Sequence, residues 1–575
     1  MQSGIDLVVR NGLIVDGSGG EPFEGDVAVA NGRIVQAGKV SGRGREEIDA
    51  KGLLVTPGFV DIHTHYDGQV TWDHRLAPSS SHGVTTIAMG NCGVGFAPCR
   101  PHQREMLVRL MEGVEDIPHP VLAAGVPWTW ESYPEYLGFL AGRKYDLDIC
   151  SYVPHAALRV YVMGQRGADR EPATADDIAQ MASLLRESMT AGAMGFSTSR
   201  TFLHRSSDGE STPTFGAAEA ELTGLALALK AHGAGAIQLI VDLQDPEGAF
   251  GFMRRLVERS GRPLSFTLLE GQHGPASYRW KEILDWVAKA SAEGLPMKGQ
   301  VLGRPVGLLF GHELTLNPFY STEAYRALAE LPLAERVARL REPATRERVL
   351  AEPVDADPAN VLGRLVRDFE HMYLLGDPPD YEPLPESSVA AQARRRGMSP
   401  EALAYDLMLE KDGRNLLYYA IANYDHGSLD ACRAMLQHPG SVLGLGDGGA
   451  HCGTICDGSA PTFMLTHWAR DRARGPGLPL PWIVRALCRD PALAIGLTDR
   501  GLIAPGAKAD LNLIDLDRLR LHPPEVAYDL PTGGRRLLQR ADGYAATIVS
   551  GSVVSRNGVP TGALPGRLVR GPTPG

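Results

Sequence analysis

Hydrophobic positions along the chain keep two different rhythms. Near the start they come in short alternating runs, DLVVRNGLIVDGSG, GDVAVANGRIVQAG and EIDAKGLLVTPG, broken by glycine-bearing turns. Alternation with period two predicts strands with one buried face. Asn11-Gly12 and Asn31-Gly32 each sit between apolar residues, and both members of such a pair accept positive φ, so each predicts a tight hairpin. The texture returns late, in GLIAPGAKADLNLIDLD and YAATIVSGSVVSRNGVPTG, where Asn557-Gly558 repeats the turn chemistry. Residues 1–56 and 501–575 are therefore expected to build one small β-sandwich from both chain ends.

Over residues 57–500 the rhythm becomes apolar strand, loop and helix, repeated. Strands are expected at Gly58 to His65, Val84 to Cys92, Leu147 to His155, Gly192 to Ser199, Gly235 to Leu243, Pro263 to Glu270, Met297 to Gly303 and Val442 to Gly446. Strands alternating with helices imply a parallel sheet, and this number predicts an α/β fold closed as a (β/α)8 TIM-like barrel. ADDIAQMASLLRESMTAG and AAEAELTGLALALKAHG carry apolar residues three and four apart and end in glycine, as capped helices do. No GxGxxG follows the first strand, which disfavours a doubly wound sheet. The stretch 304–439 far exceeds a normal βα loop. It includes a helix opening at Ser399-Pro400-Glu401, with serine at the N-cap and proline in the first turn. A lid over the C-terminal face, an extra structural layer and a homo-oligomer contact are the three readings of this insertion.

Composition narrows the partners. At 575 residues and 43% hydrophobic the chain can bury a large core, and a net charge of -11 without any basic stretch argues against nucleic acid and anionic membrane. No apolar run approaches the roughly 20 residues of a membrane span, and MQSGIDLVVRNG lacks a leader's basic-then-apolar order. A soluble, cytoplasmic protein is expected. The seven cysteines, at 92, 99, 150, 432, 452, 456 and 488, follow neither a disulfide framework nor a zinc-finger spacing, so reduced thiols are expected.

The chemistry concentrates in GFVDIHTHYDG, residues 58–68. On a strand, side chains two apart share a face, so His63 and His65 converge, whereas on a helix they would diverge by about 200°. At the C-terminal rim of a first barrel strand they make half of a metal site; a hydrogen-bonded core pair is the other reading. Asp447, in SVLGLGDGGAH, closes the eighth strand at the same rim and suits a ligand or a general base, or else a simple Asp-Gly turn. Cys92, in MGNCGVG, ends the second strand as a thiolate ligand or an inert buried thiol.

GFVDIHTH, GNCG, MGFSTSR, the late GDGG and GLIAPGAKADLNLID together resemble the amidohydrolase superfamily, within it the N-acyl-D-amino-acid deacylase (D-aminoacylase) group, over nearly the whole chain. The resemblance implies a zinc-dependent hydrolase of non-peptide amide bonds. It assigns His63, His65 and Cys92 to zinc, and Asp447 to zinc and to proton transfer. That group also takes a histidine from each of the fifth and sixth strands, but here these read GAIQLIVDL and PLSFTLLEG. A single zinc is therefore expected, with the second position depleted and Gln238 and His273 as substitute ligands. Other histidines just past strand ends, His155, His204 and His451, are expected to line a polar cleft. His155, Arg159 and Arg200 are the expected substrate contacts, an arginine pairing with a carboxylate on a small-molecule substrate. Alternatives are hydrolysis of a cyclic amide, carbamate or lactone and, in another class, a metal-depleted small-molecule-binding protein without turnover.

Overall fold

The computed structural model describes residues 4–271, 279–352 and 361–572, and its parallel strands form two arcs. The first comprises Phe59–Asp61, Val84–Met89 and Asp148–Ser151. The second runs Val153–Pro154, Gly195–Arg200, Ala236–Val241, Leu264–Thr267, Met297–Val301 and Ser441–Leu443. Every expected strand segment overlaps one of these, and the third contains two. Tyr152 joins the arcs, its N–H donating to Met89 O at 2.9 Å.

Ladder closure of the ring differs from expectation. Among the described residues no ladder joins Ser441–Leu443 to Phe59–Asp61. The chain leaves extended geometry at that point, with φ of 64° at Leu445 and 44° at Asp447, so a strand cannot continue. Two rim hydrogen bonds connect the segments instead, Asp447 N–H to His63 O at 3.0 Å and His65 N–H to Gly448 O at 2.8 Å.

Helices cover the strands as the apolar spacing requires. Ala175–Ala191 opens on a capping box between Thr174 and Asp177, buries Met181, Leu185 and Met189, and ends at Gly192 with φ 109°. Its neighbour Glu219–His232 ends likewise at Gly233. Within the insertion, Val306–Phe310, Leu417–Ala422 and Met372–Leu374 form an antiparallel sheet with a separate apolar cluster that includes Phe310, Phe319, Tyr405 and Tyr419. Pro400–Met408 starts as expected, Ser399 Oγ accepting from Ala402 N–H.

The two chain ends share one nine-stranded sheet. Leu54–Pro57 pairs with Leu511–Ile514, so the ladder passes directly from one end to the other. Asn31-Gly32 and Asn557-Gly558 make the tight turns their chemistry predicts. Asn11-Gly12 does not: the strand Leu7–Ile14 runs through it, and Asn11 at φ 59° forms a bulge between the pairs Val9↔Val27 and Gly12↔Gly25. Left-handed geometry absorbs an extra residue there. A Cβ on Gly12 would lie 2.3 Å from Val55 Cγ2, so packing also demands the glycine.

No helix among the described residues is long and apolar enough to cross a membrane, and all seven cysteines are free and buried.

Buried ion pairs fasten the C-terminal segment beneath the first arc. Asp148, on the third strand, accepts from Arg500 Nη1 at 2.8 Å and lies 2.9 Å from Lys508 Nζ, which also reaches Asp510 at 2.7 Å. Burial raises the Asp148 carboxyl's pKa, but Lys508 and Arg500 outweigh it and hold the group below its ordinary value. Asp148→Asn leaves two buried cations short of a partner and is expected to destabilise the fold by about 3–5 kcal/mol in chemical denaturation. Because the folded carboxyl is depressed, that stability is fully present above the unfolded pKa of about 3.9 and fades as pH falls through the folded one. A loss below about 1 kcal/mol at neutral pH would mean that solvent already screens the cluster.

Candidate metal centre

Past the first strand the backbone stays anchored on both sides while it presents two imidazoles. Thr64 N–H donates to Ala88 O at 3.1 Å, and His63 N–H to Asp61 Oδ1 at 3.1 Å. The rings of His63 and His65 lie 5.4 Å apart and are almost wholly buried. Cys92 arrives from the end of the second strand in a left-handed conformation, φ 53°, between Gly90 and Gly93. A Cβ on Gly90 would sit 2.4 Å from Tyr152 O, and one on Gly93 2.8 Å from Thr198 Cα. Only glycine lets this turn press against neighbouring strands.

The donor atoms converge. His63 Nε2 is 3.3 Å from Cys92 Sγ and 3.5 Å from Asp447 Oδ1, and His65 Nε2 is 3.6 Å from the same oxygen. One donor each from His63, His65 and Cys92 fits within 4.8 Å of the others. Zinc bonds of 2.0–2.3 Å in a tetrahedron separate donors by about 3.3–3.8 Å. The recorded contacts fall in that window, and two nitrogens, a sulfur and a carboxylate oxygen suit zinc. Asp447 Oδ1 makes no good hydrogen bond, and its side chain, 19% exposed, is the open member of the set. The donor set therefore fits a zinc ion.

Electrostatics point the same way. Burial pulls the His63 pKa down, but Cys92 and Asp447 outweigh it and lift it to about 9. His65 is raised further still against burial, by Glu115, Asp447 and Cys92. Asp447 is held far below the ordinary carboxylate range, and the Cys92 thiol is lowered, because the imidazoles overcome the desolvation of each. A buried set this anionic attracts cations, and a dication entering it displaces the imidazole protons.

Two residues support the ligands from behind: Glu115, which escapes notice in the sequence, and Gln238, expected there as a substitute ligand. Glu115, buried at the end of the helix Arg104–Glu115, places Oε1 3.1 Å from His65 Nδ1 and Oε2 3.8 Å from His451 Nε2. A carboxylate behind a ligating imidazole orients the ring and raises its basicity. Gln238 accepts from Cys92 N–H at 2.8 Å. A backbone N–H can only donate, so the facing atom is the amide oxygen, and it supports the Cys92 turn.

The remaining expected site residues are dispersed. His155 lies between Thr198 Oγ1 and Glu221 Oε1, each at 2.9 Å, and Arg159 Nη1 donates to Glu221 Oε2. All three side chains are buried, and the Glu221 carboxyl, despite burial, is lowered to about 2 by His155 and Arg159. A guanidinium neutralised in this way is no receptor for a substrate carboxylate. Arg200 donates to Ala217 O and stacks over Phe252 at 4.7 Å. His204 Nδ1 meets Ser199 Oγ at 3.0 Å. His273 lies outside the described residues.

Comparison with known proteins agrees with this chemistry. An uncharacterized protein of Mycobacterium tuberculosis is 28% identical over 597 aligned residues, spanning 96% of this chain and 92% of that one. The N-acyl-D-aspartate deacylase of Alcaligenes xylosoxydans xylosoxydans is 36% identical over 196 residues, 34% of this chain and 36% of the relative. Among solved structures, D-aminoacylase aligns with TM-score 0.65 and 22% identity over 98% of this chain and 100% of its own. The N-acyl-D-glutamate deacylase of Bordetella bronchiseptica, solved with zinc and a phosphonate inhibitor, aligns with TM-score 0.65 and 21% identity over 99% of this chain and 100% of its own. At such identities the structural likeness speaks for the fold. The amidohydrolase family model matches residues 46–555, which takes in His63, His65, Cys92 and Asp447 alike, and the chain belongs to the amidohydrolase family.

Proposed function

We propose that this chain is a zinc-dependent hydrolase of small-molecule amides, acting on N-acyl-D-amino acids. The observation that carries the reading is the convergence of one donor each from His63, His65 and Cys92 within 4.8 Å of one another, with Asp447 Oδ1 3.5 Å from His63 Nε2 and 3.6 Å from His65 Nε2. The named relatives that support it are an N-acyl-D-aspartate deacylase and an N-acyl-D-glutamate deacylase. The same reading takes residues 57–500 as a (β/α)8 barrel joined at its rim by Asp447 N–H and His63 O, with the two chain ends as its sandwich. The reading takes one zinc per chain, supported by Gln238 standing where a histidine ligand would and accepting from the Cys92 N–H.

A zinc ion held here supplies Lewis acidity, polarising the amide carbonyl and acidifying a water. The chain's own groups do the rest. His63 and His65 keep Asp447 ionised, so its carboxylate is ready to accept a proton from the attacking water. It then returns that proton to the amide nitrogen, which departs poorly as an anion and readily as an amine. Glu115 holds His65 in place throughout. The buried walls around the histidines limit water to the open side at Asp447.

Metal analysis beside a panel of N-acyl-D and N-acyl-L amino acids is the test. We expect one zinc per chain, hydrolysis of the D series and loss of activity on chelation. A chain that takes up no metal would leave a small-molecule binder instead, and a zinc-loaded chain that hydrolyses none of the panel would point to a cyclic amide, carbamate or lactone. Asp447→Asn is expected to lower kcat by about 10²–10⁴-fold with the thermal midpoint little changed; near-normal turnover would remove Asp447 from proton transfer.

A further inference from the structure

Gln300 lies on the seventh strand, Met297–Val301, and is 1% exposed. A primary amide buried in this way is unfavourable unless its polar atoms are matched. Both ends are matched. Its Oε1 stands 2.6 Å from His63 Nδ1, and its Nε2 donates to Ser265 Oγ, on the sixth strand, at 2.9 Å. Sixth, seventh and first strands thus meet through one side chain, Ser265 to Gln300 to His63.

An imidazole nitrogen that binds a metal must present a bare lone pair. The ring then keeps its single proton on the other nitrogen, which needs an acceptor. His63 turns Nε2 toward Cys92 Sγ and Asp447 Oδ1, and Nδ1 toward Gln300. Were the amide reversed, its NH2 would face Nδ1 and require the lone pair there. The ring proton would move to Nε2, among the ligands, and block coordination. We propose that Gln300, anchored by Ser265, is a positioning residue that sets His63 as the Nδ1–H tautomer and thereby presents Nε2 to the metal.

The choice of an amide over an acid follows from the charge already present. Glu115 stands behind His65, and Cys92 Sγ and Asp447 Oδ1 already face the imidazoles. A neutral acceptor behind His63 orients the ring without a further buried anion. The inference rests on the metal site of the proposed function, and the experiment separates the two.

Zinc affinity is measured by competition with a chromogenic chelator in wild type, Gln300→Met and Gln300→Glu, together with the visible spectrum of each cobalt(II)-loaded protein. Methionine keeps the length and removes the acceptor, and affinity is expected to fall by about 10–100-fold with a shifted cobalt spectrum. Glutamate keeps an acceptor oxygen in either protonation state and is expected to restore affinity to within about threefold and the wild-type spectrum. Imidazole ¹⁵N resonances of the zinc-loaded wild type provide a reading that needs no variant: the His63 proton is expected on Nδ1. A proton on Nε2, wild-type affinity in Gln300→Met, or equal losses in both variants overturns the role of Gln300 and leaves the hydrolase reading standing. A wild type that binds no zinc overturns both.

Discussion

Lone pairs aimed at one another in a largely buried space are the constraint on which this structure turns. Cys92 and Asp447 favour their anionic forms, the two histidines offer nitrogens, and none of these donors satisfies the others unless protons stay between them. Separations of 3.5 and 3.6 Å between the imidazole nitrogens and Asp447 Oδ1 are long for hydrogen bonds and right for groups around a shared cation. Assembling them takes unusual backbone. Cys92 and Asp447 both adopt positive φ, and the glycines around them allow contact that any Cβ would prevent. Strain of this kind persists where the surrounding structure over-determines it. Here the surroundings include Tyr152 O against Gly90, and the paired rim hydrogen bonds between His63, His65 and the Asp447 loop.

Behind the ligands stand three residues, each suited to what it holds. A carboxylate faces His65, a neutral amide faces His63, and a second amide accepts the Cys92 backbone N–H. The two amides, Gln238 and Gln300, come from the fifth and seventh strands and point into a space where apolar residues would have satisfied the core. Their placement means that the strands do more than carry ligands at their ends. The interior of the sheet sets which atom of each ligand faces inward.

Much of this was legible in the sequence, and what was not has a physical reason. Apolar runs between amphipathic helices located the parallel strands, because burial on both faces leaves no alternation to confuse them with the chain ends. The two-residue spacing of His63 and His65 was readable because strand geometry alone makes them neighbours. Asn11-Gly12 misled because left-handed φ serves a bulge as well as a turn, and only the cross-strand partner, Gly25, distinguishes them. Glu115 and Gln300 gave no signal at all: each meets its histidine across a long stretch of chain, with no local motif. His155 and Arg159 looked like substrate contacts for the same reason in reverse, since their partner Glu221 lies on a helix far along the chain. Local period reveals which residues share a face; it says nothing about which charge will answer another.

That distinction also separates structural charge from functional charge within this one molecule. Asp148 has Arg500 and Lys508, Asp457 has Arg304, and Glu221 has Arg159 and His155, so each buried acid in those clusters faces a cation supplied by the fold. Around the metal centre the balance is different. Cys92, Asp447 and Glu115 gather near two imidazoles whose charge depends on borrowed protons, and the described residues there include no arginine or lysine paired with them. An uncompensated buried anion is destabilising, so this group gains little for stability's sake by standing without a cation. The deficit makes sense once a dication is counted among the partners. Its location at the rim, beside the one half-open carboxylate, puts that cation where a small amide can reach it.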